Sequence, residues 1–248
     1  MYDLPEVRAA TETFWQATAA RLGISVPLDR PDDWMEAWRR PDLLFSQTCG
    51  YPLTHEFAGK LRLVATPHYA APGCDGPRYC SLLMAREKRP LPAFRGAVAA
   101  FNSRDSMSGM LALKAMFAPF AQEGAFFSRA VETGGHLVSL ASLQEGKADV
   151  AAIDCVTVAY VRRYRPQALA GLVEVGRSPP VPGLPYVTAG GNIDRLRHAL
   201  IEVFADDSLA ETRQALLLDG LSILSEADYA VIPRMESAME AAGGLDLW

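Results

Sequence analysis

Apolar residues at helical spacing open the chain. Val7, Phe14, Thr18 and Leu22 share one face, between a helix start at Asp3, Pro5 and Glu6 and a stop at Gly23. A second helix is expected over 31–40, with Trp34 and Trp38 four residues apart on one face, both read as core. The short apolar run Leu43-Leu44-Phe45 reads as a strand leading into a polar loop, Ser46-Gln47-Thr48-Cys49-Gly50-Tyr51-Pro52, and a further strand is expected over 61–65. From residue 80 the alternation becomes regular. Strands are expected at 80–85, 97–101, 130–132 and 150–153, and helical patterns over 107–117, 137–144 and 156–164 follow the last three. Strands alternating with helices of this length imply an α/β fold with βαβ units and mostly parallel sheets. Two more strands, 172–175 and 186–188, flank Ser178-Pro179-Pro180-Val181-Pro182-Gly183. The end reads as helical: Ile193, Leu196, Leu200 and Phe204 share a face, and two further helices are expected after them.

Two Pro/Gly-rich segments, 72–79 and 178–185, stand about a hundred residues apart. If both join the same two bodies, residues 80–183 form one lobe and residues 1–79 plus 184–248 form the other. Two crossings make a hinge, and a hinge implies closure around a ligand. The competing arrangement is one α/β domain with two long surface loops.

Composition narrows the function classes. Half of the 248 residues are hydrophobic, ample for a core, and 24 Lys and Arg against 29 acids give a formal charge of −5. An acidic chain without a basic run argues against non-specific nucleic-acid binding, and any bound anion must be held by local hydrogen bonds and helix ends. No apolar stretch approaches the roughly 18 residues of a membrane span. The first twenty residues carry acids and a helical period, so they do not read as a secretory signal. Cys49, Cys74, Cys80 and Cys155 fit no metal-ligand spacing, and nothing in the pattern calls for a cofactor. Cys74 and Cys80 bracket a Gly/Pro loop and could pair in an oxidising compartment; free thiols are the simpler expectation.

Three strand-to-helix corners carry candidate chemistry. The first runs from Phe101 through Asn102-Ser103-Arg104-Asp105 into Ser106-Met107-Ser108-Gly109. Serine hydroxyls beside unpaired N–H groups at a helix start can hold an anion without a basic residue; the plainer role for Ser106 is an N-cap. The second corner, Thr133-Gly134-Gly135-His136, puts a histidine at a helix start. The third delivers Asp154 to a strand end, as a helix cap or as an acceptor for a ligand group. In open parallel sheets the strands' carboxyl ends share one cleft.

Ser106-Met107-Ser108-Gly109, Gly134-Gly135-His136 and the stretch LQEGKADVAAID from Leu143 to Asp154 together resemble the phosphate/phosphite/phosphonate substrate-binding proteins of ABC transporters. The resemblance covers roughly residues 1–188 and implies the two-lobed type 2 periplasmic-binding-protein fold, closing on a small anionic solute. It implies an anionic head held by Ser106, Ser108 and the Met107 and Ser108 N–H groups, with Ser103 in the same loop. His136 and Tyr79 are implied as further ligands, and Asp154 faces the distal end of the solute. Tyr2, at the end of the expected first strand, and Gln47, Thr48 and Tyr51 are the implied first-lobe contacts. The loop 47–52 departs from the family's usual one, and Cys80 adds a thiol beside Tyr79. An ABC-transporter permease is the implied partner, a monomer the implied state, and the periplasm the implied location, with the cytoplasm open because the first residues do not read as a signal.

Two other classes remain at this point. The same fold serves as a ligand-sensing module that signals to a partner. An enzyme would need Cys49 or Cys155 as nucleophile, His136 as base and Asp154 to orient it. As a donor to an anion, His136 is expected to favour its charged form, so that binding weakens as pH climbs through neutrality.

Overall fold

The computed structural model describes residues 2–247. They form two units, each with its own sheet and helices.

The first unit holds the chain up to Ala70, then Asp75–Pro77 and Pro182–Asp228. Its sheet runs in the spatial order Ser46–Gln47, Tyr186–Thr188, Arg62–Tyr69, Leu218–Ser222, and every neighbouring pair is antiparallel. The helix Arg8–Leu22 packs beside Ile193–Ala205, and the latter lies against Arg62–Tyr69. Val7, Phe14, Thr18 and Leu22 are buried, as their spacing requires, and Gly23 closes the helix in the left-handed conformation at φ 67°. Phe14 stacks near Tyr186, which also meets Phe45, so the N-terminal helix is tied to the sheet by aromatic rings.

Three expectations change here. Trp38 is core, but Trp34 is 37% exposed: the short helix Trp34–Arg39, capped by Asp33, presents only Trp38 inward. The ladder near residue 45 forms at Ser46–Gln47, not over the apolar triplet before it. Leu218–Ser222 is a strand inside a region read as all helical. Its Gly220 lies against His68, where a Cβ would come within 2.5 Å of Nδ1, and such edge pairing leaves no period in five residues.

The second unit holds Ala71–Cys74, Arg78–Val181 and the chain from Tyr229 on. Its five strands lie in the order Arg129–Glu132, Val98–Phe101, Val150–Asp154, Ser81–Ala85, Val173–Arg177. The first two ladders are parallel and the last two antiparallel, so parallel pairing is confined to the three strands that helices follow. Ser81 pairs with Asp154 and Arg177 with Leu82, so the chain enters and leaves this sheet at the edge where the three parallel strands end. That entry reverses Ser81–Ala85 relative to its neighbours and accounts for the mixed pairing.

Residues from Tyr229 on pack in the second unit, whereas the sequence places them with the first, and the chain therefore changes unit a further time at Asp228/Tyr229. The helix Val231–Ala241 buries Ile232 and Met239 and packs on Ala112–Phe117, while the Asp246 N–H donates to the Gly124 carbonyl. Apolar burial on that side outweighs continuity with the preceding helices.

Ile232 is fully buried and Ile201, on Ile193–Ala205, is 52% exposed. Ile232→Ala should cost about 2–5 kcal/mol in urea unfolding and Ile201→Ala less than about 0.5 kcal/mol. Equal costs would contradict the packing of the C-terminal helix.

Candidate anion-binding site

Phe101, Glu132 and Asp154 end three parallel strands at one edge of the second sheet, and each passes into a helix within a few residues. Val98–Phe101 is buried from Ala99 on and Val150–Asp154 is wholly buried, so their ends are fixed by the core. The corners are hydrogen-bonded to one another. The Thr133 N–H and hydroxyl both donate to the Phe101 carbonyl (2.9 and 3.1 Å), and the Gly134 N–H donates to the Asn102 carbonyl (2.7 Å). Thr133 Oγ1 also meets Ser139 Oγ at 2.7 Å inside the next helix, His136–Gln144.

The first helical turn, Met107–Leu111, is wide: the Leu111 N–H donates to the Ser106 carbonyl and the Ala112 N–H to that of Met107, each five residues back. A turn of this kind enlarges the ring of N–H groups at a helix start and recurs at functional sites. Ser106 is the N-cap, its Oγ accepting from the Gly109 N–H at 3.0 Å. Capping uses the hydroxyl as acceptor only, so its hydrogen remains able to donate. Ser103 sits one turn earlier and gives its carbonyl to the Ser106 N–H. Met107 is buried, and its N–H and that of Ser108 head the turn. Gly109 lies directly against Asn102: a Cβ there would stand 1.7 Å from Oδ1, so only glycine allows the loop to fold onto the helix. Asn102 Oδ1 is itself buried without a hydrogen-bond partner.

Ser108 Oγ and His136 Nε2 are 2.9 Å apart, joining the first corner to the second. His136 keeps part of its surface exposed, but its Nδ1 is out of solvent and has no hydrogen-bond partner among the described residues. Burial pushes the imidazole down to about 4. Without an anion beside it, burial therefore favours the neutral ring, and its Nε2 engages Ser108.

Asp154 is buried, and its Oδ1 accepts from the Val156 and Thr157 N–H groups at 2.7 and 3.1 Å, capping Cys155–Tyr164. Its Oδ1 serves the first of the two roles open to it from sequence, the helix cap. Tyr79, buried in the short strand Arg78–Tyr79, leads into Ser81–Ala85 at the same edge.

The remaining sequence candidates belong to the first unit. Tyr2 meets Tyr69 edge-on, with ring centres 5.2 Å apart, and Gln47 Nε2 donates to the Tyr69 hydroxyl (2.9 Å) and the Leu184 carbonyl (3.0 Å). Tyr69 was missed because its strand runs to residue 69, four past the expected end; the apolar run beyond Pro67 was the signal. Thr48 is fully buried, with its N–H on the Pro185 carbonyl and its hydroxyl on that of Cys49. Tyr51 stacks on His55 at 3.8 Å. Thr133 and Asn102 were also missed, since their roles arise from contacts between loops.

The family model described as the periplasmic phosphonate substrate-binding protein of an ABC transporter matches residues 35–229. The chain belongs to this family. Solved structures agree on the fold. The binding-protein PhnD1 of Prochlorococcus marinus, solved with methylphosphonate, is 13% identical, with a TM-score of 0.76 over 96% of this chain and 95% of that one. A phosphonate-transporter binding component from Pseudomonas aeruginosa is 15% identical, with a TM-score of 0.75 over 95% and 83%. A Xanthomonas citri protein solved with ATP is 17% identical, with a TM-score of 0.69 over 96% and 94%. No curated protein matches significantly. The chain is thus a solute-binding protein of a transport family, and that family is one of binding proteins rather than enzymes. Among the described residues no helix is long and apolar enough to cross a membrane.

Gly109→Ala should destabilise by about 1–3 kcal/mol through overpacking on Asn102, and an Asn102→Ala background should remove most of that cost. Additive costs in urea titrations would show that the close approach is not the cause. A second expectation concerns pH. Because the folded state holds His136 near 4 and the unfolded state near 6.5, the unfolded chain binds more protons between those values. This contribution is complete above pH 6.5 and is lost as pH falls towards 4. His136→Gln should flatten unfolding free energy across that window, and an unchanged slope would place the ring in solvent.

Proposed function

We propose that the Ser106–Ser108–His136 corner receives the oxyanion of a phosphonate- or phosphate-like solute for delivery to an ABC-transporter permease, and that the protein binds without turnover. The observation that carries this reading is the 2.9 Å contact of Ser108 with His136 at a widened helix start already capped by Ser106. A neutral imidazole carries one N–H. When Nε2–H donates to Ser108 Oγ, the serine hydrogen is turned free to donate to an anion, alongside the Ser106 hydroxyl and the Met107 and Ser108 N–H groups. An anion at this position favours that tautomer over the one in which Ser108 donates to the ring. No lysine or arginine is needed, because the helix start and oriented hydroxyls supply the positive potential.

Family membership and the methylphosphonate-bound relative support a phosphonate as the solute class. The cysteine chemistry supports binding over catalysis. His136 bonds to Ser108, Asp154 caps a helix, and the Cys155 thiol lies beside Cys74 with its pKa raised by that contact and by burial. A raised thiol is a poor nucleophile at neutral pH.

Calorimetry with methylphosphonate, inorganic phosphate and a sulfonate tests the assignment. Ser108→Ala removes one hydrogen bond to a charged group, worth about 1.5–3 kcal/mol, so affinity for the preferred anion should fall roughly tenfold or more. Binding as tight as that of the unaltered protein would remove this corner from the site. Release of phosphate from methylphosphonate during incubation would replace the binding role with an enzymatic one.

A further inference from the structure

Three of the four cysteines meet in the second unit, a grouping that the anion site does not use. Cys74 Sγ and Cys155 Sγ are 3.6 Å apart although 81 residues separate them in sequence, and the Cys80 thiol lies beside them. Cys80 and Cys155 are placed by the sheet, since the Cys155 N–H donates to the Cys80 carbonyl. Cys74 is placed by its own turn, with its N–H on the Ala71 carbonyl, and by Gly73 at φ 106°. A Cβ on Gly73 would stand 2.9 Å from Cys80 Sγ and 3.2 Å from Cys155 Sγ, so the backbone passes directly over the thiols and only glycine fits. Of the three, Cys80 and Cys155 are buried and Cys74 is partly exposed. Cys74 belongs to the segment Ala71–Cys74, between two stretches of the first unit, and Cys155 opens the helix capped by Asp154.

We propose that Cys74 and Cys155 form a thiol–disulfide site, which a small-molecule disulfide closes into a covalent tie between the Ala71–Cys74 segment and the start of helix Cys155–Tyr164. Their sulfurs are already in contact, so closing to the roughly 2.05 Å of an S–S bond needs only side-chain rotation and a small shift. The exposed Cys74 reacts first. Its thiolate attacks one sulfur of the reagent, RSSR, whose S–S bond breaks and releases RS⁻, which takes up the proton that Cys74 lost. Cys155 then gives its proton to water and attacks the Cys74 sulfur, expelling the second RS⁻, which is protonated in turn. Two protein thiols are oxidised and one RSSR is reduced to two RSH. The hydrogen bond with Cys74, together with burial, holds Cys155 well above the ordinary thiol range, so the second step is the slow one and accelerates with rising pH.

The test uses the full chain, folded, with oxidised glutathione. The free-thiol titre should fall by two, and peptide mapping after alkylation should recover Cys74 linked to Cys155. Hydrogen exchange in 71–74 should slow in the oxidised protein and return with dithiothreitol. Cys80→Ser should leave the pair and the exchange shift in place; Cys74→Ser should lose both. A denatured sample, in which any pair can form, sets the background. Recovery of Cys74–Cys80 or Cys80–Cys155 as the main product would overturn the assignment, as would an unchanged thiol titre or a stable glutathione adduct on Cys74.

Discussion

The central strand Val150–Asp154 fixes more of this protein than any other element. It is buried along its whole length and pairs in parallel with Val98–Phe101 on one side and antiparallel with Ser81–Ala85 on the other. Its small residues, Ala151 and Ala152, let helices close over both faces. One edge of the sheet therefore gathers the ends of three parallel strands, the entry of the chain at Ser81 and its exit after Arg177. Everything chemical in the second unit is stationed there: Ser106, Ser108, His136, Asp154, Tyr79 and the thiols of Cys80 and Cys155. A helix that starts at such an edge has no strand partner for its first N–H groups, and the sequence answers with Ser106 and Asp154 as caps.

The corner is built from neutral groups. Hydroxyls, amides and an imidazole held near 4 supply directed donors without an opposing charge, in a chain whose net charge of −5 gives no long-range attraction. In the proposed role such donors would discriminate by geometry, since a tetrahedral oxyanion needs several donors at fixed spacing, and the corners are hydrogen-bonded to one another. Thr133 holds the first two corners together. Its side chain ties Phe101, which ends the first corner's strand, to Gly135 and Ser139 of the His136 helix.

Two buried polar atoms at this edge have no hydrogen-bond partner among the described residues. His136 Nδ1 and Asn102 Oδ1 each forgo a hydrogen bond, at a cost of about 1–3 kcal/mol apiece. Asn102 offsets this by seating Gly109 and by giving its carbonyl to Gly134.

The sequence by itself determined the strand-helix alternation of the second unit, the N-terminal helix with its buried face, and the three polar corners with their order. Those features are local: periodicity, capping chemistry and turn residues act within a few positions of one another. The family pattern was legible for the same reason, since Ser106 to Gly109 and Gly134 to His136 are contiguous. Only the tertiary structure decided where Leu218–Ser222 pairs and that the residues from Tyr229 on join the second unit. It also decided that Ser108 meets His136, that Tyr69 gathers Tyr2 and Gln47, and that Cys74 touches Cys155. Each of these brings together residues far apart in sequence, and each is settled by which surfaces gain most from burial, a quantity that no window of neighbouring residues contains.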